Sequence, residues 1–440
     1  MSIAGTVMLA SGMCTGASAL WWLRSLAARG AGSGPRELAV ADIVADAPEE
    51  LRTAVSILAD PPQTNLMLAA LGLGSLDGGF PYVERYDYTT YGLDVELMML
   101  GGQSLADWSN DEVLAQFATY LGVPKVTASS PAPSWVRLQV RTWDTLAAPS
   151  TLPEVVHNDV DLEAVPVGVR EDGGPWLLRL LYAHVLLAGA MGSGKGSVLW
   201  SIIAGIGPAI RAGLVDVWMA DPKGGMEFGR GARLWVRFEW TADGILAMLT
   251  EAETLMQERA ARLREAGIRK LVPTTDEPLI LIIIDEAAAL SAYATRDQQQ
   301  EFQRLTGLLL SQGRAVGVTL IAALQDPSKE TMPNRQLFPV RIGLRLDEPT
   351  QTVMVHGQGA KDRGARCHEI PDTTPGVGYV GEDGTTEFVR VRAFWVSDEA
   401  ADAIVDAYAP VEDFTPQGDY SGFDPDDLGD GDVGVDGVAA

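Results

Sequence analysis

The stretch LLAGAMGSGKGSVLW, Leu186 to Trp200, restricts this chain more than any other. It carries G-x-x-x-x-G-K from Gly189 to Lys195 directly after an apolar run. A glycine-rich loop between a buried strand and a helix N-terminus presents successive backbone N–H groups to phosphates, while the lysine neutralises them. Gly189, Ala190, Met191, Gly192, Ser193, Gly194, Lys195, Gly196 and Ser197 are therefore the expected nucleotide-binding set, with ATP and Mg²⁺ as cofactors. The position after the lysine normally holds a Ser or Thr whose hydroxyl reaches the metal. Here it is Gly196. Either a water fills that place or the helix start shifts so that Ser197 becomes the Mg²⁺ ligand. The second is the favoured expectation, with Ser197 as a simple helix cap the plain alternative.

The surroundings of the loop read as an α/β domain. AHVLLAG, GLVDVWMAD, LILIIIDEAAAL and VGVTLIAALQ are short apolar strands. A long helix is predicted over Asp243–Ala266, with Leu246, Leu249, Leu255 and Met256 on one face. Strands of this kind, separated by helices, belong to a parallel sheet covered on both faces. The expected fold is a RecA-like P-loop NTPase domain over residues 155–400.

Four further positions carry candidate chemistry. Asp285 and Glu286 end the run LILIII, at the edge of the sheet where phosphate loops lie. Asp285 is expected to hold Mg²⁺ and Glu286 to orient and deprotonate the attacking water. Gln325 ends another apolar strand, as a γ-phosphate sensor or a strand-end turn residue. Arg314 could reach a neighbouring subunit's nucleotide and offset transition-state charge.

The rest of the chain divides by composition. Residues 1–23 contain no charge and precede Arg24, Arg29 and Arg36, so residues 1–30 form a candidate membrane span with the C-terminal side in the cytoplasm; a partner-packed helix is the alternative. Residues 31–81 read as linker and helix. Residues 82–150 read as a small α+β module, with strands in YGLDVELMML and WVRLQVRTW and a capped helix in SNDEVLAQFATYLGV. Net charge is −26, and half of it falls between Ser397 and Ala440, where 13 acidic residues meet no Lys or Arg. Residues 411–440 are expected to be disordered. Two distant cysteines, Cys14 and Cys367, and four histidines without ligand spacing indicate neither a disulfide framework nor a zinc site, and fit an intracellular setting.

From about residue 161 to 396 the chain resembles the FtsK/SpoIIIE branch of the FtsK and HerA DNA-pumping ATPases. The blocks that carry the resemblance are HVLLAGAMGSGKGSVLWSII, MADPKGGMEF, LMQERAARLREAGIRKL, LIIIDEAAAL, GRAVGVTLIAALQDPS and FPVRIGLRL, in that order. The small module resembles the ring-forming domain that precedes the motor, and the whole looks like the FtsK-type transfer proteins of actinobacterial plasmids and integrative elements. The resemblance implies an ATP-driven homo-hexameric ring that moves double-stranded DNA, with Arg314 as the trans-acting finger and Gln325 as the sensor. Arg269, Lys270, Lys329 and Arg335 are then candidates for phosphate contact in the lumen. Two rival readings are kept: a secretion motor with a polypeptide cargo, favoured by the net negative charge, and a nucleotide-binding scaffold that hydrolyses poorly, favoured by Gly196.

Overall fold

The computed structural model describes residues 40–153, 160–328, 331–361, 363–382 and 388–410. The candidate span at 1–30, Lys329 and the acidic tail from 411 lie outside them. No helix among the described residues is long and apolar enough to cross a membrane.

The N-terminal part begins with helices α1 (Val40–Asp46), α2 (Arg52–Leu58) and α3 (Pro61–Ala70). A four-stranded antiparallel sheet follows, from β1 (Tyr82–Thr89), β2 (Gly92–Met98), β3 (Lys125–Ser129) and β4 (Trp135–Arg141), in the order β1-β2-β4-β3. Between β2 and β3 lie α4 (Leu105–Ser109) and α5 (Asp111–Leu121). The Asn110 side chain caps α5 and left-handed Gly122 ends it. The stretch 31–81, read as linker and helix, is largely helical from residue 40 onward. Ala54, Val55, Leu58, Met67 and Leu68 enter the same core as Val95, Phe117 and Leu138. Pro61 and Pro62, which look like linker punctuation, open α3, where a missing N–H costs nothing.

The larger part is an eleven-stranded mixed sheet. Its parallel half comprises β8 (Val185–Ala188), β9 (Val215–Ala220), β10 (Trp235–Glu239), β11 (Leu279–Ile284), β12 (Val318–Leu324) and β13 (Val340–Leu344), ordered β10-β9-β11-β12-β8-β13. Every residue of β8, β11 and β12 is buried, as unbroken aliphatic runs require. On one face α6 (Lys195–Arg211) packs Val198, Ile202, Ile203 and Ile206 into the core. The other face is covered by α7 (Ala242–Glu265) and α9 (Arg296–Gln312) through Met248, Leu249, Met256, Phe302 and Leu309. The short α8 (Ala288–Ser291) leads into α9, and α10 (Pro349–His356) follows β13.

Beyond β13 the sheet turns antiparallel: β14 (Val377–Glu382), β15 (Val389–Trp395), β6 (Val165–Arg170) and β7 (Pro175–Leu178), with β5 (Ser150–Thr151) beside β15. The expected parallel sheet is thus its core, and this extension lengthens it. Helix α11 (Asp398–Tyr408) closes the described chain against α6. Cys367 is buried and unpaired, and His184 and His356 are buried in the same way.

Candidate nucleotide site

Five parallel strands bring their C-terminal ends together, and each contributes to one site. Strand β8 stops at Ala188 and the loop is held at once by its neighbours. Gly189 N donates to Leu324 O of β12 at 3.1 Å, and Ala190 N to Arg345 O beyond β13 at 2.8 Å. Helix α6 then starts at Lys195 from Gly194, whose φ of +97° is a glycine conformation. A Cβ on Gly194 would also collide with the amide nitrogen of Gly376, which donates to Ser193 O at 2.8 Å. The turn at Pro375–Gly376 is itself held by Arg392, which donates from Nε to Pro375 O at 3.2 Å and from Nη1 to Leu146 O and Ala147 O at 2.7 Å each. Leu146 and Ala147 are the exit of the small domain.

Lys195 is buried, and its ammonium stays within the loop, donating to Gly189 O at 2.7 Å and Ala190 O at 3.3 Å. Burial lowers its pKa, opposed by Glu286, Asp285 and Glu227, so three carboxylates share its field. Asp285 is 1% exposed; its Oδ2 accepts from Lys223 Nζ at 2.6 Å and its Oδ1 has no partner. Burial, with the charges of Glu227 and Asp221, raises its carboxyl to about 6 against the pull of Lys223. Glu286 is 8% exposed, and neither carboxylate oxygen has a hydrogen-bond partner. Buried carboxylates without donors are costly unless a ligand completes them. Hard, unpartnered oxygens beside a phosphate loop are also the donor set that Mg²⁺ takes together with phosphate oxygens, so the residues present fit that ion.

Strand order separates the candidates in a way no linear reading gives. Strand β12 lies between β8 and β11, so half-buried Gln325 at its end stands between the loop and the acidic pair. Arg314, exposed, is not with them. It precedes β12 at the other edge of the sheet, seven residues or about 20 Å away, out of reach of this chain's own loop. Arg269 and Lys270 are exposed beside it, since Leu271 N donates to Ala315 O at 2.8 Å, and Lys270 rests over the Tyr182 ring. Arg335 is half-buried: its Nε donates to Met354 O at 3.1 Å, and its Nη1 is buried without a partner. Ser197, third in α6, lies about 100° around the helix from Gly196, and its hydroxyl does not cap the helix.

Sequence reading passed over three residues of the DPKGGMEF block. Asp221 ends β9, next to β11, and its Oδ2 accepts from the backbone of Glu227 and Phe228 at 3.0 Å each. Lys223 and Glu227 follow from that loop, in which Gly224 and Gly225 are both left-handed, with φ of +79° and +74°. The signal was present, since the block ends an apolar strand as LIIIDE does.

A strand, a six-residue glycine loop closed by a lysine, a helix, and an acidic pair two strands away define a P-loop NTPase domain. Residues 153–277 match the FtsK/SpoIIIE family, and the chain carries an FtsK/SpoIIIE domain. It is 30% identical over 255 residues to transfer protein TraSA of Streptomyces ambofaciens, covering 52% of this chain and 59% of that protein. It is 25% identical over 319 residues to DNA translocase FtsK of Staphylococcus epidermidis, covering 67% of this chain and 38% of the relative. The chain therefore spans less than two thirds of the length of these relatives. Among solved structures, a monomer of the pCW3 conjugation coupling protein TcpA with ATPγS shares the fold, with a TM-score of 0.50 at 20% identity, over 78% of this chain and 97% of that one.

Proposed function

We propose that this chain is an ATP hydrolase that drives double-stranded DNA through a homo-hexameric ring during transfer of a mobile element. The observation that carries the proposal is the buried, unpartnered Glu286 carboxylate within the field of Lys195 at the mouth of a P-loop. In this reading Lys195 neutralises the β- and γ-phosphates, and Glu286 takes the proton from the attacking water. Gln325 senses the γ-phosphate. Arg314, remote from its own loop, serves the nucleotide of the next subunit. Mg²⁺, held through Asp285, would draw charge from the phosphate oxygens. Duplex DNA as the cargo is supported by the relatives, a transfer protein and DNA translocases. Arg269 and Lys270, exposed next to Arg314, are the phosphate contacts best supported. Placement at the cytoplasmic face of a membrane through residues 1–30 belongs to the same proposal.

The test is ATP turnover by the full chain with and without long duplex DNA. Faster turnover with DNA is expected. An unchanged rate with active turnover would shift the reading to a polypeptide cargo, which the net charge of −26 favours.

A further inference from the structure

The loop lacks a hydroxyl at Gly196, and the space its side chain would take is filled. A Cβ built there would collide with Glu227 Oε1. We propose that Glu227 supplies the Mg²⁺ ligand that Gly196 gives up, its carboxylate acting with that of Asp285 on the ion at the phosphates; this rests on reading the P-loop as an ATP site.

Geometry supports the assignment independently of the acidic character of the cluster. Glu227 is fixed relative to Gly196 by the core on either side. Asp221 holds the N–H groups of Glu227 and Phe228, and Phe228 is fully buried against Trp200 of α6, with ring centroids 5.6 Å apart. Glu227 and Asp285 already converge on one cation. Lys223 Nζ lies 2.6 Å from Asp285 Oδ2 and 3.4 Å from Glu227 Oε2, while Asp285 Oδ1 and both oxygens of neighbouring Glu286 are buried without partners. Mg²⁺ in nucleotide sites takes one or two carboxylates with phosphate oxygens and water. A side chain reaching in from the adjoining loop meets that requirement, and glycine is the residue that admits it. Ser197 points elsewhere, about 100° round the helix. A carboxylate differs from a hydroxyl in one respect that can be measured: without metal it repels the phosphates, so binding should lean more heavily on Mg²⁺.

The experiment titrates Mg²⁺ from EDTA into the full chain with N-methylanthraniloyl-ATP and reads analogue binding by fluorescence. Glu227→Gln is expected to raise the Mg²⁺ needed for half-maximal enhancement by about tenfold or more, without weakening binding in EDTA. Ser197→Ala should leave the midpoint where it is, and Gly196→Ser added to Glu227→Ala, which vacates the space beside position 196, should lower the midpoint relative to Glu227→Ala alone. An unmoved midpoint in Glu227→Gln, or a shift in Ser197→Ala instead, overturns the assignment. So does loss of analogue binding in EDTA, or failure of Gly196→Ser to lower the midpoint of Glu227→Ala, either of which makes Glu227 a shaper of the loop. If Lys195→Ala binds the analogue as tightly as wild type, the ATP-site reading itself has failed and the assignment falls with it.

Discussion

Arg366, buried in the P-loop domain, donates from Nη1 to Asp111 Oδ1 of the small domain at 2.6 Å. The same guanidinium holds Glu369 at 2.7 Å and the Ser109 carbonyl at 2.9 Å, while Lys361 takes the other Asp111 oxygen at 2.8 Å. Hydrogen bonds from Lys361 and Arg366 overcome burial and hold the Asp111 carboxyl at about 2. Arg366→Ala should destabilise the protein by about 2 kcal/mol, less than a fully buried pair because Asp111 is 59% exposed and water replaces part of the interaction. Urea unfolding measures it, and coincident midpoints for the two proteins would refute the coupling.

Gly194→Ala tests the loop itself. The substitution forces a side chain into φ +97° and onto the Gly376 nitrogen, so about 1–3 kcal/mol of strain and a displaced loop are expected. Gly192→Ala, at φ +71° with nothing within 4 Å, should cost only about 1 kcal/mol. Thermal melts and nucleotide affinity of the two variants should separate in that order.

Complementation tests the placement of Arg314. Lys195→Ala and Arg314→Ala should each lose turnover alone, as should Glu286→Gln, by about 100-fold or more. Mixing the first two gives interfaces where an intact loop meets an intact arginine, and activity should partly return. If no mixture recovers any activity, Arg314 does not act across a subunit boundary.

Burial pulls the imidazoles of His184 and His356 from 6.5 to about 3, so both fold as neutral rings. The unfolded chain binds their protons first. Their contribution is whole above pH 6.5 and is lost as pH falls toward 3, by about 1.4 kcal/mol per pH unit for each ring. Neither ring nitrogen of His356 has a partner, so His356→Leu breaks no hydrogen bond. Denaturation at pH 6 and pH 5 should show the wild type losing about 1.4 kcal/mol more than this variant. Parallel losses would show that His356 is accessible to protons when folded.

The parallel strands were legible because LILIII and VTLIAAL are uninterrupted apolar runs, and α7 because its apolar face repeats at helical spacing. The antiparallel half was not. Val377–Glu382 carries two glycines and Val389–Trp395 alternates with arginines, so their burial comes from pairing rather than from composition. In the site, the loop and the acidic pair, which the fold brings into one electrostatic neighbourhood, were legible because each sits in a short local pattern. The proximity of Glu227 to Gly196 was not legible, because it arises from the strand order β9-β11-β12-β8, which spacing along the chain does not encode. Arg141, Arg390 and Arg392 were unremarkable charges in the sequence. Arg390 and Arg141 are buried against Glu171, and Arg390 also against Asp144, across the domain boundary.

Arg392 gives the fold a mechanical property. One buried guanidinium clamps the exit of the small domain at Leu146–Ala147 to the turn at Pro375, and the next residue, Gly376, is bonded to Ser193. The phosphate loop and the base of the small domain are thus two jaws of one bracket with no slack between them. If nucleotide binding displaces the loop, these bonds give the displacement a direct path to the neck of the other domain, and reciprocity would then let a load on that domain alter the affinity for nucleotide.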